Sequence, residues 1–274
     1  MTLCGWHRVI TCIIWNQIMD SVANIQNVAL AAFYLLLLLP LFLFHRWQLG
    51  LTRAVVEAVL RMTLQLAIVG MYLQTLFTWQ NPTLNIIWLS IMAFVASYSI
   101  CRRAEVNLRK VFPAVLLGQG VALLVVLPAM LAGVIQAEPW WQAQYMIPVA
   151  GMLLGNCLTA NVLALERWHS SLRDKQNEYQ FYLTLGAPNP VQPFIRTAVK
   201  AALAPQLASM TTLGIVSLPG MMTGQILGGT EPLLAVKYQL VIMVAIFIAG
   251  VLSVTTCLAL VSRYAFNRYG QLMI

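Results

Sequence analysis

The chain has 274 residues, 60% of them hydrophobic and 9% charged, with a formal net charge of +8. A soluble domain carries about 25% charged residues, so a soluble enzyme or a soluble nucleic-acid-binding domain is excluded and no nucleic-acid partner is expected. The apolar runs are long and continuous rather than strictly alternating, which selects helices over a transmembrane barrel, and an all-α polytopic protein of the lipid bilayer follows.

Residues 1–18 read as an N-terminal extension, with a short apolar patch at 9–15 and no small-residue cleavage site. Met19 opens the stretch that runs smoothly into the first span, so 19–274 is taken as a single transmembrane domain. Seven helices are predicted, each needing about 20 apolar residues: 28–44, 55–77, 84–101, 113–135, 145–165, 198–216 and 238–261. The longest polar piece, 166–199, is too short for an enzymatic domain. Five cysteines in no C-x-x-C spacing give neither a zinc framework nor a disulfide scaffold.

Orientation follows from the basic residues. Arg46 and Arg53 follow span one, Arg102, Arg103, Arg109 and Lys110 follow span three, and Arg167, Arg173 and Lys175 follow span five. Arg263 and Arg268 follow span seven, whereas the loops 77–83 and 136–144 hold no Lys or Arg. The basic side is cytoplasmic, which puts the N-terminus outside, the C-terminus inside and 166–199 in the cytoplasm. Trp79, Trp140, Trp141 and Tyr145 suit the outer interfacial belt, and Trp47 and Trp168 the inner one.

Candidate chemistry is sparse. Glu57 and Arg61 are spaced i,i+4 in span two, with Gln65 one turn further. Charge within a membrane is costly, so this row either lines a protein or water path or pairs near the cytoplasmic end with Arg61 snorkelling. In span five, Gly151 and Gly155 form a Gly-x-x-x-Gly pair suited to close helix approach. Met152, Asn156 and Thr159 share one face there, either as a polar stripe along a solute path or as an interhelical clamp. The uncharged stretch 216–229, with Pro219, Gly220, Met221, Met222 and further glycines, falls on the outer side between spans six and seven. Irregular backbone at that depth must be covered by protein or line a cavity. Thioethers are soft metal donors as well as packing groups, and the three histidines are not at ligand spacing, so any metal ligand set stays unknown. Residues 176–188 form a short amphipathic helix and a turn, a pattern that suits docking of a peripheral subunit or an ordinary interfacial turn. There is no phosphate-cradling Gly-x-x-x-x-Gly-Lys-Ser/Thr, no His-Glu-x-x-His and no Gly-x-Ser-x-Gly. The chain does not hydrolyse ATP by itself, and no cofactor is called for. A retinal-type seven-helix protein would need a Lys in the middle of span seven, and Lys237 lies at its outer end.

Several blocks in order resemble one family. They are Ile147-Pro-Val-Ala-Gly-Met-Leu-Leu-Gly-Asn156, Leu183-Thr-Leu-Gly-Ala187, Arg196-x-Ala-x-Lys-Ala-Ala-Leu-x-Pro205 and Ser217-Leu-Pro-Gly-Met-Met-Thr-Gly-Gln225, followed by Ala235-Val-Lys-Tyr-Gln239. With Arg61-x-x-x-Gln65-Leu66, they are similar to the FetB (YbbM) family of ABC-transporter permeases, from about Met19 to the C-terminus. The resemblance implies an inner-membrane permease, a homodimer working with a separate ATP-binding subunit of FetA type. It further implies export of iron or another metal ion, with roles in metal homeostasis and resistance to oxidative stress. A plant branch implies other solutes, such as a nucleotide sugar. Leu185-Gly186-Ala187 also looks like the tail of the coupling loop of ABC importers, with Gln180-Phe181-Tyr182 where that loop has Glu-Ala-Ala. Gln180, Leu185, Gly186 and Ala187 are therefore expected to couple to the ATPase. Arg61, Gln65, Met152, Asn156, Pro219, Gly220, Met221 and Met222 are expected along the transport path, and a seven-helix receptor is the competing class.

Overall fold

The computed structural model of the chain describes residues 26–266, apart from 80, 137 and 140. The expected extension 1–18, the start at Met19, and Trp140 and Arg268 lie outside the described residues. The helices in order are α1 (Asn27–Leu35), α2 (Leu38–Arg46), α3 (Thr52–Trp79), α4 (Pro82–Arg103) and α5 (Leu108–Pro128), which continues as a π-helical segment, Ala129–Ile135. Then come α6 (Ala143–Asp174), α7 (Gln176–Thr184), α8 (Gln192–Thr212), α9 (Gly220–Leu227) and α10 (Pro232–Tyr264). Among the described residues there is no strand, only isolated bridge positions such as Leu213 with Ser217. This is an all-α, multi-pass membrane protein.

Each of the seven predicted spans falls largely within helix, but six are long and apolar enough to cross a bilayer on those grounds alone: Asn27–Arg46, α3, α4, Leu108–Ile135, α6 and α10. The predicted sixth span is α8, a helix of 21 residues. Its Arg196, Lys200 and Gln206 dilute its apolar content, so length and composition do not single it out. The predicted fifth span also stops short of the helix, because α6 runs on to Asp174. The start of the segment read as cytoplasmic is therefore a rigid continuation of a membrane helix.

Chain contacts divide the molecule into two compact units, residues 1–78 with 220–235 and residues 79–219 with 236–274. In the first unit, α1 gives way to α2 at Leu36–Leu37, where backbone N–H groups turn to carbonyls three residues back. Pro40 is the cause: it has no N–H, and its ring clashes with the carbonyl four residues earlier. The first span is tied to α3 by Tyr34 Oη and Thr63 Oγ1, 2.9 Å apart. Because the Thr63 hydroxyl already donates to the Val59 carbonyl, Tyr34 is the donor.

The second unit holds the core. Asn81 and Asn107 cap α4 and α5, each side chain accepting from the backbone N–H two residues on. Small residues then let α4, α5, α6, α8 and α10 approach: Ala114, Ala160, Ala164, Ala198 and Ala202 are all buried beside Val115, Leu165, Trp168, Val254 and Leu258. At Gly118 the approach is closest, since a Cβ there would lie 2.7 Å from the Ser253 carbonyl oxygen. The Gly-x-x-x-Gly pair predicted for this role does not perform it within the chain. Gly151 would meet only the Met92 methyl, at 3.4 Å, and Gly155 nothing within 4 Å. Trp168, expected at the inner interface, is fully buried and packs edge-on against Phe266.

Candidate coupling segment and transport path

At one end of the second unit, α7 follows α6 after the single residue Lys175, which reaches Glu178 at 3.3 Å. Tyr179 is its anchor. The ring is buried, stacks on Phe266 with centroids 5.3 Å apart, and meets Phe194 edge-on at 6.1 Å. Burial pushes the Tyr179 phenol above its ordinary value. Tyr182 shares this inner side and donates to Glu178 at 3.2 Å. The outer side carries Gln180, Phe181 and Leu185, the last two 59% and 65% exposed. An apolar surface on a short helix beside basic residues, at a membrane helix's end, is a surface suited to a protein partner.

The glycine of this segment has a backbone reason. Gly186 has φ +65°, its N–H reaches the Leu183 carbonyl, and the Ala187 N–H reaches the Tyr182 carbonyl, each at 3.0 Å. That pair of bonds is a Schellman ending, in which a left-handed residue closes the helix. Leu185 and Gly186 are exposed and Ala187 is half-buried.

The residues expected along a path are distributed between the two units. In the first, Arg61 Nη2 donates to Glu57 Oε1 at 2.6 Å, with both side chains more than half exposed. Gln65 lies one turn beyond, also exposed. The ion pair closes within one helix, about 14 Å from the start of α3. The stretch expected to be irregular turns out to contain a helix, α9, beginning at Gly220 with Met221 and Met222 half-buried in its first turn. A second Schellman ending closes it: Gly229 has φ +89°, its N–H reaches the Ile226 carbonyl and the Thr230 N–H reaches that of Gln225. Gly229 thus permits a stop, and Gly220 and Gly224 do not prevent the helix.

In the second unit, Asn156 is exposed and its amide donates to the Met152 carbonyl of its own helix at 2.8 Å. Thr159 likewise bonds back, to Gly155. This face makes no clamp within the chain. The clamp is Asn161, five residues on and about 140° around the helix, which is fully buried and donates to Ser253 Oγ of α10 at 2.7 Å. Asn161 and Asn156 are the same residue type on the same helix; only the packing of α10 distinguishes them. Pro219, half-buried, directly precedes α9. No group of three or more His, Cys, Asp or Glu side chains among the described residues is arranged to hold a metal ion.

The model of a family described as "Uncharacterised protein family (UPF0014)" matches residues 27–266, nearly all of the chain. The chain belongs to this family. A relative in Synechocystis sp. named UPF0014 membrane protein slr1647 is 35% identical over 84% of this chain and 90% of its own length. The Escherichia coli relative named Probable iron export permease protein FetB is 32% identical over 92% of this chain and 96% of its own. The Arabidopsis thaliana protein named ALUMINUM SENSITIVE 3 is 33% identical over 78% of this chain and 77% of its own. No solved structure matches the chain. The FetB-type membership expected from the ordered sequence blocks therefore holds, and every one of those blocks lies inside the matched region.

Proposed function

We propose that the chain is the membrane-spanning permease subunit of an ABC exporter of the bacterial inner membrane, powered by a separate ATP-binding subunit of FetA type and working as a homodimer. The observation that carries this reading is the similarity, over nearly its whole length, to a relative named as an iron export permease. The α7 surface supports the part played by the ATPase: Phe181 and Leu185 project from a helix pinned by Tyr179, and Gln180 lies beside them. Rigid continuity of α6 down to Asp174 gives a push on α7 a direct route into the bundle. The cargo is iron or another metal ion. The Arabidopsis relative's name supports a second cargo reading, in which family members move different solutes.

Orientation joins the proposal. α6 and α10 both end among basic residues, Arg173 with Lys175 and Arg263, so both ends are cytoplasmic. The chain must then return to the outer side between them, and α8 is the helix available to do so. Its Gln206 amide lies against Gly250, deep along α10. Seven crossings, an outer N-terminus and an inner C-terminus are the resulting topology.

Deleting 180–188 is expected to abolish co-purification of the ATPase with the permease; an ATPase still retained would remove the coupling role. Cells lacking the protein are expected to accumulate the cargo metal, measured as total cell iron, and unchanged metal content with intact ATPase binding would point to another solute.

A further inference from the structure

Four of the six buried polar side chains among the described residues gather at one level of the second unit: Ser97 of α4, Gln119 of α5, Asn161 of α6 and Ser253 of α10. The links are short. Asn161 Nδ2 donates to Ser253 Oγ at 2.7 Å, Gly118 lies against the Ser253 carbonyl, and Ser97 Oγ is 3.5 Å from Gln119 Oε1. Counted at 1.5 Å per residue, this level lies about 9–15 Å along the helices from Arg103, Arg109, Arg167 and Arg263, well inside a hydrocarbon core about 30 Å thick.

The hydrogen bonds of this layer do not close. Asn161 spends both amide hydrogens, on the Cys157 carbonyl at 2.8 Å and on Ser253, and its Oδ1 has no partner. Ser97 has a single hydroxyl hydrogen, directed to the Ala93 carbonyl at 2.8 Å, so its longer approach to Gln119 is weak. Gln119 Nε2 has no partner. Buried polar groups in folded proteins are paired with protein or with ordered water, and in the bilayer core the penalty for failing to pair is at its highest.

We propose that this layer is a hydration site, in which ordered water accepts from Gln119 Nε2 and donates to Asn161 Oδ1. The chemistry selects water over an ion. An open N–H repels a cation, an open carbonyl oxygen repels an anion, and water satisfies both. Rotating the Gln119 amide by a half-turn turns its Nε2 to Ser97 Oγ and leaves two open oxygens, to which water donates; no buried carboxylate stands among these four side chains to offset the cost of stripping a cation of its water. The inference stands apart from the transport reading, since it concerns the interior of one unit and no partner or cargo.

Two reporters are built in, because the buried Cys157 lies one turn before Asn161 and the buried Cys257 one turn beyond Ser253. X-ray hydroxyl-radical footprinting of the full-length protein in nanodiscs, after rapid mixing into H2 18O, reads water held near them. Cys157 is expected to be oxidised despite its burial, with 18O entering more slowly than at exposed methionines, and Gln119→Met or Asn161→Leu should cut that oxidation severalfold. Untouched Cys157 and Cys257 in the unaltered protein would overturn the proposal. Thermal unfolding gives a second arm through the near-isosteric Gln119→Met, which folds even if Asn161→Leu does not. In a hydrated layer the substitution removes satisfied bonds and lowers Tm. In a dry layer it removes unpaired donors and raises Tm, and a raised Tm overturns the proposal equally.

Discussion

Gly118 carries more of the packing than its size suggests. A methyl group there would enter the space held by the Ser253 carbonyl at 2.7 Å and the Cys257 Cβ at 3.3 Å, and one of those is backbone that cannot swing aside. Overfilling a packed core costs about 1–3 kcal/mol, so Gly118→Ala is expected to lower Tm in nanodiscs by several degrees. Gly155→Ala meets nothing within 4 Å and gains up to ~1 kcal/mol of helix propensity; its Tm should hold or rise. A similar loss from both would assign the effect to the helix backbone rather than to the α5–α10 crossing. The same scale separates two asparagines of one helix: Asn156 bonds back to its own helix, whereas Asn161 joins α6 to α10.

At the scale of one element, α7 has an inner side that holds it and an outer side free to bind. Tyr179→Ala empties a site enclosed by Phe194 and Phe266 and should cost about 3 kcal/mol or more, visible as a fall in Tm and as faster hydrogen exchange over 176–184. Phe181→Ala combined with Leu185→Ala removes exposed groups and should change stability by no more than about 0.5 kcal/mol each, yet abolish retention of the ATPase on an affinity column. Retention in that double variant would move docking elsewhere. Gly186→Ala is a third case: a left-handed φ of +65° costs a side-chain-bearing residue roughly 1–2 kcal/mol. Weaker ATPase retention with a frayed α7 is expected from it, so its effect on coupling must be read beside exchange data.

For the whole molecule, the number of crossings is the property to test. A cysteine introduced at Ile215, which is 90% exposed in the turn after α8, should react with a membrane-impermeant maleimide from outside intact cells. One introduced at Gln180 should react only after permeabilisation. Labelling of both from the same side would mean that α8 does not cross, and the proposed topology would fail with it. Transport has its own test in Met221→Ala with Met222→Ala, expected to reduce metal efflux while expression and ATPase binding stay intact; unchanged efflux would leave those sulfurs as packing groups.

Much of this protein is legible without coordinates, because a bilayer imposes its demands on composition. Runs of about 20 apolar residues and basic residues gathered at alternate ends are local properties, and they determine an all-α membrane protein. The ordered blocks around Pro219 and Gly186 determine the family for the same reason, being read along the chain. Tertiary structure decided which side of each helix matters. Periodicity groups Met152, Asn156 and Thr159 correctly as one face but is silent about what that face meets, and Asn161 became the clamp only because Ser253 of α10 lies against it. Likewise Trp168 has the composition of an interfacial anchor and is instead enclosed by Phe266 and its neighbours. The pair Gly151 and Gly155 has the spacing of a helix contact, whereas Gly118 makes it. Burial is a relation between elements distant in sequence, and no window along a single helix contains it.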